Sequence, residues 1–199
     1  MKKQGFTAAL RGTLFSAFSG NTGDVSGSPD ADVHGMLMAI GGPGKTKSGI
    51  DLTAAANELG VTRRTVERWV TTAGERNKLR GANLSKVVAK SRQAATTQKG
   101  RRRAVARIRD TGGPGGSSTA RYGSKITLKG TQGPAAAGKD YLRDRSISLQ
   151  LDPESAQGMF DAYAEGGDKG FVGWMEGYAG DTYVDGWSIG SIDSFQIGE

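Results

Sequence analysis

Leu52-Thr-Ala-Ala-Ala-Asn-Glu-Leu-Gly-Val-Thr-Arg-Arg-Thr-Val-Glu-Arg-Trp-Val70 decides how the chain is read. Leu52, Ala55, Ala56 and Leu59 recur at helical spacing and make one apolar face. Ala56 is small where a second helix must cross closely. Gly60 follows, at a place where a sharp turn favours positive φ. Val61 packs under such a turn, and Thr62 caps the next helix through its hydroxyl. Val66 and Trp69 return to the core one turn apart. The order predicts a helix-turn-helix, although an ordinary pair of packed helices meets the same spacing.

In a helix-turn-helix the second helix lies in the major groove of DNA. Here that helix turns Arg63, Arg64, Thr65 and Arg68 outward, with Thr62 at its start. Arginine grips guanine or phosphate, and threonine touches a thymine methyl or a phosphate. The positive field continues downstream. Residues 61–110 hold 15 Lys and Arg against three acids, with Arg101, Arg102 and Arg103 as its densest run. Polyphosphate is the usual counter-charge for such a block; a solvated helix face or a basic linker is the other reading. Few aromatics interleave the cations, so phosphate neutralisation is favoured over stacking on single-stranded bases. Residues 151–199 reverse the balance, with one base, Lys169, and ten acids.

Composition removes several chemistries. The 199 residues include no cysteine and one histidine, His34. Disulfides, thiolate metal sites, cysteine nucleophiles and two-histidine metal motifs are excluded. A Ser-His-Asp triad would have to be built on His34. No apolar run reaches the roughly 18 residues that span a bilayer, and the first residues lack a secretion signal's apolar core. A cytoplasmic, nucleoid-associated protein is expected. Ala39-Ile-Gly-Gly-Pro-Gly-Lys-Thr46 fits a loosened phosphate-loop pattern, but no β-rich strand precedes it and Lys47-Ser-Gly-Ile-Asp51 breaks the helix that should follow. The tail carboxylates show no ligand spacing, and Asp152 before Pro153 reads as a helix cap. No metal and no cofactor are expected.

The 32 glycines and 36% apolar content suggest small folded units rather than one large core. The fold expected is mainly α with a small α+β C-terminal unit. Residues 1–110 are read as the helix-turn-helix region with a basic helical extension. Within it lie a helix over 5–18, a short apolar stretch over 33–40 and a basic, helical-looking stretch over 84–109. Residues 111–145 are read as a flexible linker. Residues 146–199 form the acidic α+β unit. There Ser146–Leu151 alternates as a half-buried strand does, and 153–164 is a helix that Gly166 can end. Phe171, Trp174, Met175 and Tyr178 make a second helical face, and 187–197 gives one or two strands. These aromatics suit a core better than a contact with a second copy, the further partner considered.

Taken in order, these pieces resemble the telomere terminal proteins of linear actinobacterial chromosomes and plasmids. The stretches that carry the resemblance are Leu14-Phe-Ser-Ala-Phe18, Asn57 through Trp69, Arg121-Tyr-Gly123, Arg145 through Tyr163 and Ile192-Asp-Ser-Phe-Gln-Ile197. The helix-turn-helix part is the strongest. The loops at 20–32, 41–49 and 111–118 depart from the pattern. The resemblance implies a protein that is not itself an enzyme. It would bind the single-stranded overhang of a linear DNA end with a telomere-associated protein, and serve a DNA polymerase as primer. A side-chain hydroxyl would become joined to the 5′ end. By that resemblance the acceptor is Thr131, with Thr127 second. A transcriptional regulator whose C-terminal unit dimerises is the alternative.

Overall fold

Asp51 starts the central helical pair by accepting the amide hydrogens of Thr53 and Ala54 at 3.0 and 2.9 Å. In this computed structural model, which describes residues 8–71, 79–111, 123–136 and 139–198, that cap opens α3 (Leu52–Leu59). Gly60 ends it in the left-handed region, at φ 59° and ψ 41°, a conformation that costs a residue with a Cβ. α4 (Arg63–Thr71) follows after two residues. α1 (Ala8–Ser19) and α2 (Val33–Gly41) precede the pair. α5 (Gly81–Thr96) and α6 (Gln98–Thr111) follow it.

Met36, Leu37, Ile40, Leu52, Ala55, Ala56, Leu59, Val66, Trp69 and Val87 form one buried cluster drawn from α2 to α5. The basic stretch expected to be helical over 84–109 is built as two helices, α5 and α6. They break at Thr97, which takes an extended conformation. Its hydroxyl oxygen accepts the Gly100 amide hydrogen at 3.1 Å and so starts the second helix.

β1 (Ser124–Ala136) is the spine of an antiparallel sheet. It pairs along one edge with β3 (Arg143–Leu151), from Ser124 opposite Leu151 to Gln132 opposite Arg143. The two-residue β2 (Lys139–Asp140) continues that hairpin. Along its other edge β1 pairs with β4 (Trp187–Ile189) and β5 (Ser194–Ile197). Between those two strands the chain bulges over Gly130, where a Cβ would lie 2.2 Å from the Ser191 carbonyl oxygen. Only glycine fits there.

Residues 124–145 were expected inside a flexible linker spanning 111–145, and the structure corrects this. Gly130 admits a neighbouring strand and Pro134 sits near the strand's end, so neither interrupts β1. Within that linker, residues 112–122, 137 and 138 lie outside the described residues. So do Phe6, Arg76, Lys78, Arg121 and Tyr122.

α7 (Pro153–Thr182) covers the apolar face of the sheet. Its two halves meet at Gly167, whose φ of 63° and ψ of −146° are not helical. Gly166 was expected to stop the helix; the break falls one residue later and the helix resumes. Tyr163, Phe160, Phe171 and Met175 from α7 join Ile126, Leu128, Leu149 and Phe195 of the sheet in a second core. α1 belongs to this core as well. Phe18 stacks on Tyr163 with ring centroids 4.2 Å apart and lies 5.4 Å from Phe195. A boundary at residue 110 therefore does not separate the cores, because α1 supplies apolar side chains that the sheet unit lacks. Phe15, on another face of α1, packs with Val25, Ala39, Ala95 and Ala104 between the two cores. The fold is thus mainly helical with a small antiparallel sheet toward its C-terminal end. No described helix is long and apolar enough to cross a membrane.

Candidate nucleic-acid interface

α4 is a strongly two-sided helix. Val66 and Trp69 are buried, while Arg63, Arg64, Glu67 and Arg68 are exposed. Thr62 stands at its start. The Thr65 amide hydrogen is donated to the Thr62 hydroxyl oxygen at 3.3 Å, and the two threonine hydroxyls lie 2.9 Å apart. These hydroxyls fix the first turn, and the three arginines project from the remaining surface. Three guanidinium groups on one exposed helix face can contact phosphates along a groove or base edges within it.

The run Arg101-Arg102-Arg103 does not act as one patch, because successive helical residues point about 100° apart. Arg101 is buried. It donates to the carbonyl oxygens of Tyr163 at 3.0 Å, Glu165 at 2.7 Å and Thr96 at 3.0 Å. Its expected role as a DNA contact is therefore corrected. The guanidinium occupies the space beside Gly167 and serves the carbonyl ends of α5 and of the first half of α7. Arg102 is exposed and pairs with Glu165 at 3.1 Å. Arg103 pairs with Glu58 at 2.6 Å, so it braces α6 against α3.

Thr127 and Thr131, expected on a flexible segment, stand on the central strand instead. They share its solvent face with Lys125 and Lys129, since alternate residues of a strand point the same way. The Thr127 hydroxyl lies 3.1 Å from that of Ser148. The Thr131 hydroxyl donates to the Asp144 carboxylate at 2.6 Å across the β1–β3 pair. Lys125, Lys129 and Asp144 escaped the sequence reading, although the order Lys-x-Thr-x-Lys-x-Thr carries the period of two that marks such a face. Gln132, on the opposite face, is buried; its amide donates to the Leu128 carbonyl at 3.1 Å and its oxygen accepts from the Trp187 ring nitrogen at 3.3 Å.

The glycine-rich stretch after Ala39 is no phosphate loop. Ala39 to Gly41 close a helix, and Pro43 bridges back to Ile50 in a tight turn. His34 donates from Nε2 to the Ser48 carbonyl at 2.9 Å, holding that turn to α2. Among the described residues no three His, Asp or Glu side chains gather as a metal-ligand set. Comparison with known protein families, curated proteins and solved structures finds no match.

Proposed function

We propose that the chain is a DNA-binding protein of linear replicon ends, in which α3 and α4 act as a helix-turn-helix. The observation that carries the DNA-binding part is the placement of Arg63, Arg64 and Arg68 on the exposed face of a helix anchored by Val66 and Trp69. α4 would lie in the major groove of the duplex next to the end, and its arginines would hold phosphates and base edges. A telomere-associated protein and a DNA polymerase are the partners this role requires.

The priming part rests on the resemblance of the chain to terminal proteins, and one contact supports it. Thr131 donates its hydroxyl hydrogen to Asp144 at 2.6 Å, beside exposed Lys129. An ionised carboxylate at that distance can take the proton as the oxygen attacks. The Thr131 oxygen would bond to the α-phosphorus of a deoxynucleoside triphosphate while the bond to the bridging β-phosphate oxygen breaks. Pyrophosphate leaves, the proton passes to Asp144, and Lys129 balances phosphate charge. The polymerase supplies catalysis; the chain supplies the acceptor.

Mass spectrometry of protein recovered from nuclease-treated DNA ends tests this role. A nucleotide adduct on Thr131 is expected. Protein bound at those ends but carrying no adduct would favour a regulator that binds DNA reversibly, and would remove the priming role.

A further inference from the structure

Residues of α2, α3, α5 and α6 line a cleft of about 80 Å³. Lys90, Lys99, Arg103 and Arg107 line it, against one acid, Glu58. The cations come from separate helices: Lys90 from α5 and the other three from one stripe of α6 at spacing four. Arg107 donates to the Ile40 carbonyl at 3.2 Å, at the carbonyl end of α2. Arg103 holds Glu58 at 2.6 Å. Its hydrogen bond, with the charges of Arg103, Lys90 and Lys99, keeps the Glu58 carboxyl below the usual carboxylate range.

A carboxylate is thus already the focus of three converging cations. Its single charge does not balance them, and like charges held in a concave wall repel until an anion joins them. Arginine's planar fork and the mobile ammonium groups of lysine suit the tetrahedral oxygens of phosphate. A single water needs about 10–15 Å³ of such space, so the cleft has room for a small polyatomic anion and not for a nucleobase.

We infer that this cleft is a phosphate-binding site, in which one phosphate group seats between Lys90 and Lys99 beside the Arg103–Glu58 pair. The site is separate from the outward face of α4. The phosphate is either a diester of the DNA backbone, reached as α4 docks, or a free phosphate.

Calorimetric unfolding of the full chain with added inorganic phosphate, at ionic strength held constant with sodium chloride, tests the site. A saturable rise in Tm is expected. Lys90→Ala with Lys99→Ala, two half-buried or exposed helix positions where alanine folds well, should weaken the apparent affinity at least tenfold. Arg63→Ala with Arg64→Ala and Arg68→Ala should leave it unchanged, which keeps this result separate from the role of α4. An absent rise, or an equal rise in the lysine variant, overturns the site. Salt titration of duplex binding then separates the two sources. A slope lower by about one in the lysine variant assigns a backbone diester; an unchanged slope, with the phosphate response lost, assigns a free phosphate.

Discussion

Arg101 and Tyr163 meet where the two cores join, and each makes a different prediction. The Arg101 guanidinium is the hydrogen-bond donor for carbonyl oxygens at two helix ends. Arg101→Ala would leave those oxygens without a donor in a place water reaches poorly. A loss of about 3 kcal/mol is expected in urea unfolding, while surface Arg102→Ala stays close to wild type. The Tyr163 hydroxyl is buried and has no partner among the described residues, and burial pushes its ionisation far upward. Tyr163→Phe keeps the stack on Phe18 and removes that unpaired group, so a gain of about 1 kcal/mol is expected by the same measurement. Asp168 makes stability depend on pH. Burial raises its carboxyl above the ordinary value, against the pull of Arg11 and Arg101. A raised acid favours the native state while protonated, so stability is lost as pH climbs through the interval between the unfolded and native values, and the loss persists at neutrality. Asp168→Asn should therefore melt above wild type at pH 7, with the difference shrinking below about pH 4.

At the scale of elements, α4 carries the sharpest test. Replacing Arg63, Arg64 and Arg68 together by alanine should weaken duplex binding and lower its salt slope by about three, one for each neutralised phosphate. Circular dichroism should be unchanged, since alanine is a strong helix former and Val66 and Trp69 remain. Affinity equal to wild type would show that α4 does not face DNA. The α3–α4 pair was legible because each of its signals is local: apolar spacing, a glycine at the turn, a threonine at the cap. Asp152 was legible for the same reason; it accepts the Ser155 amide hydrogen at 2.8 Å. β1 was not, because its partners lie as far off as Ile197, and because Gly130 and Pro134 look like loop residues until the neighbouring strand is in place. The fate of Arg101 was hidden too. Three consecutive arginines look alike in sequence, and only the position of α7 distinguishes the buried one from its neighbours. Thr131 was proposed through resemblance, and its carboxylate contact with Asp144 depends on the strand register.

For the whole molecule the unexpected element is α1, which precedes the helical cluster in sequence yet completes the core of the sheet unit. Phe18→Ala removes a ring that touches Phe160, Tyr163, Phe171 and Phe195. A loss of about 4 kcal/mol is expected. Trp69 reports from the helical cluster and Trp187 from the sheet core. Both should unfold in one transition in wild type, because Arg101 and the Phe15 cluster join the two. Two separate transitions would show that the cores are independent. Charge is also distributed at this scale. Arg102 and Glu165 bring basic α6 against acidic α7, so the acidic tail offsets part of the positive field of α6.

The meeting of Phe18 with Phe195 bears on how the polypeptide matures on the ribosome. α1 emerges before α5, α6, α7 and β5, the elements it packs against; the strand that closes over it is made last of these. Contacts this remote along the backbone slow folding, and until they form, the aromatic side of α1 is left open to chaperones or to neighbouring nascent chains.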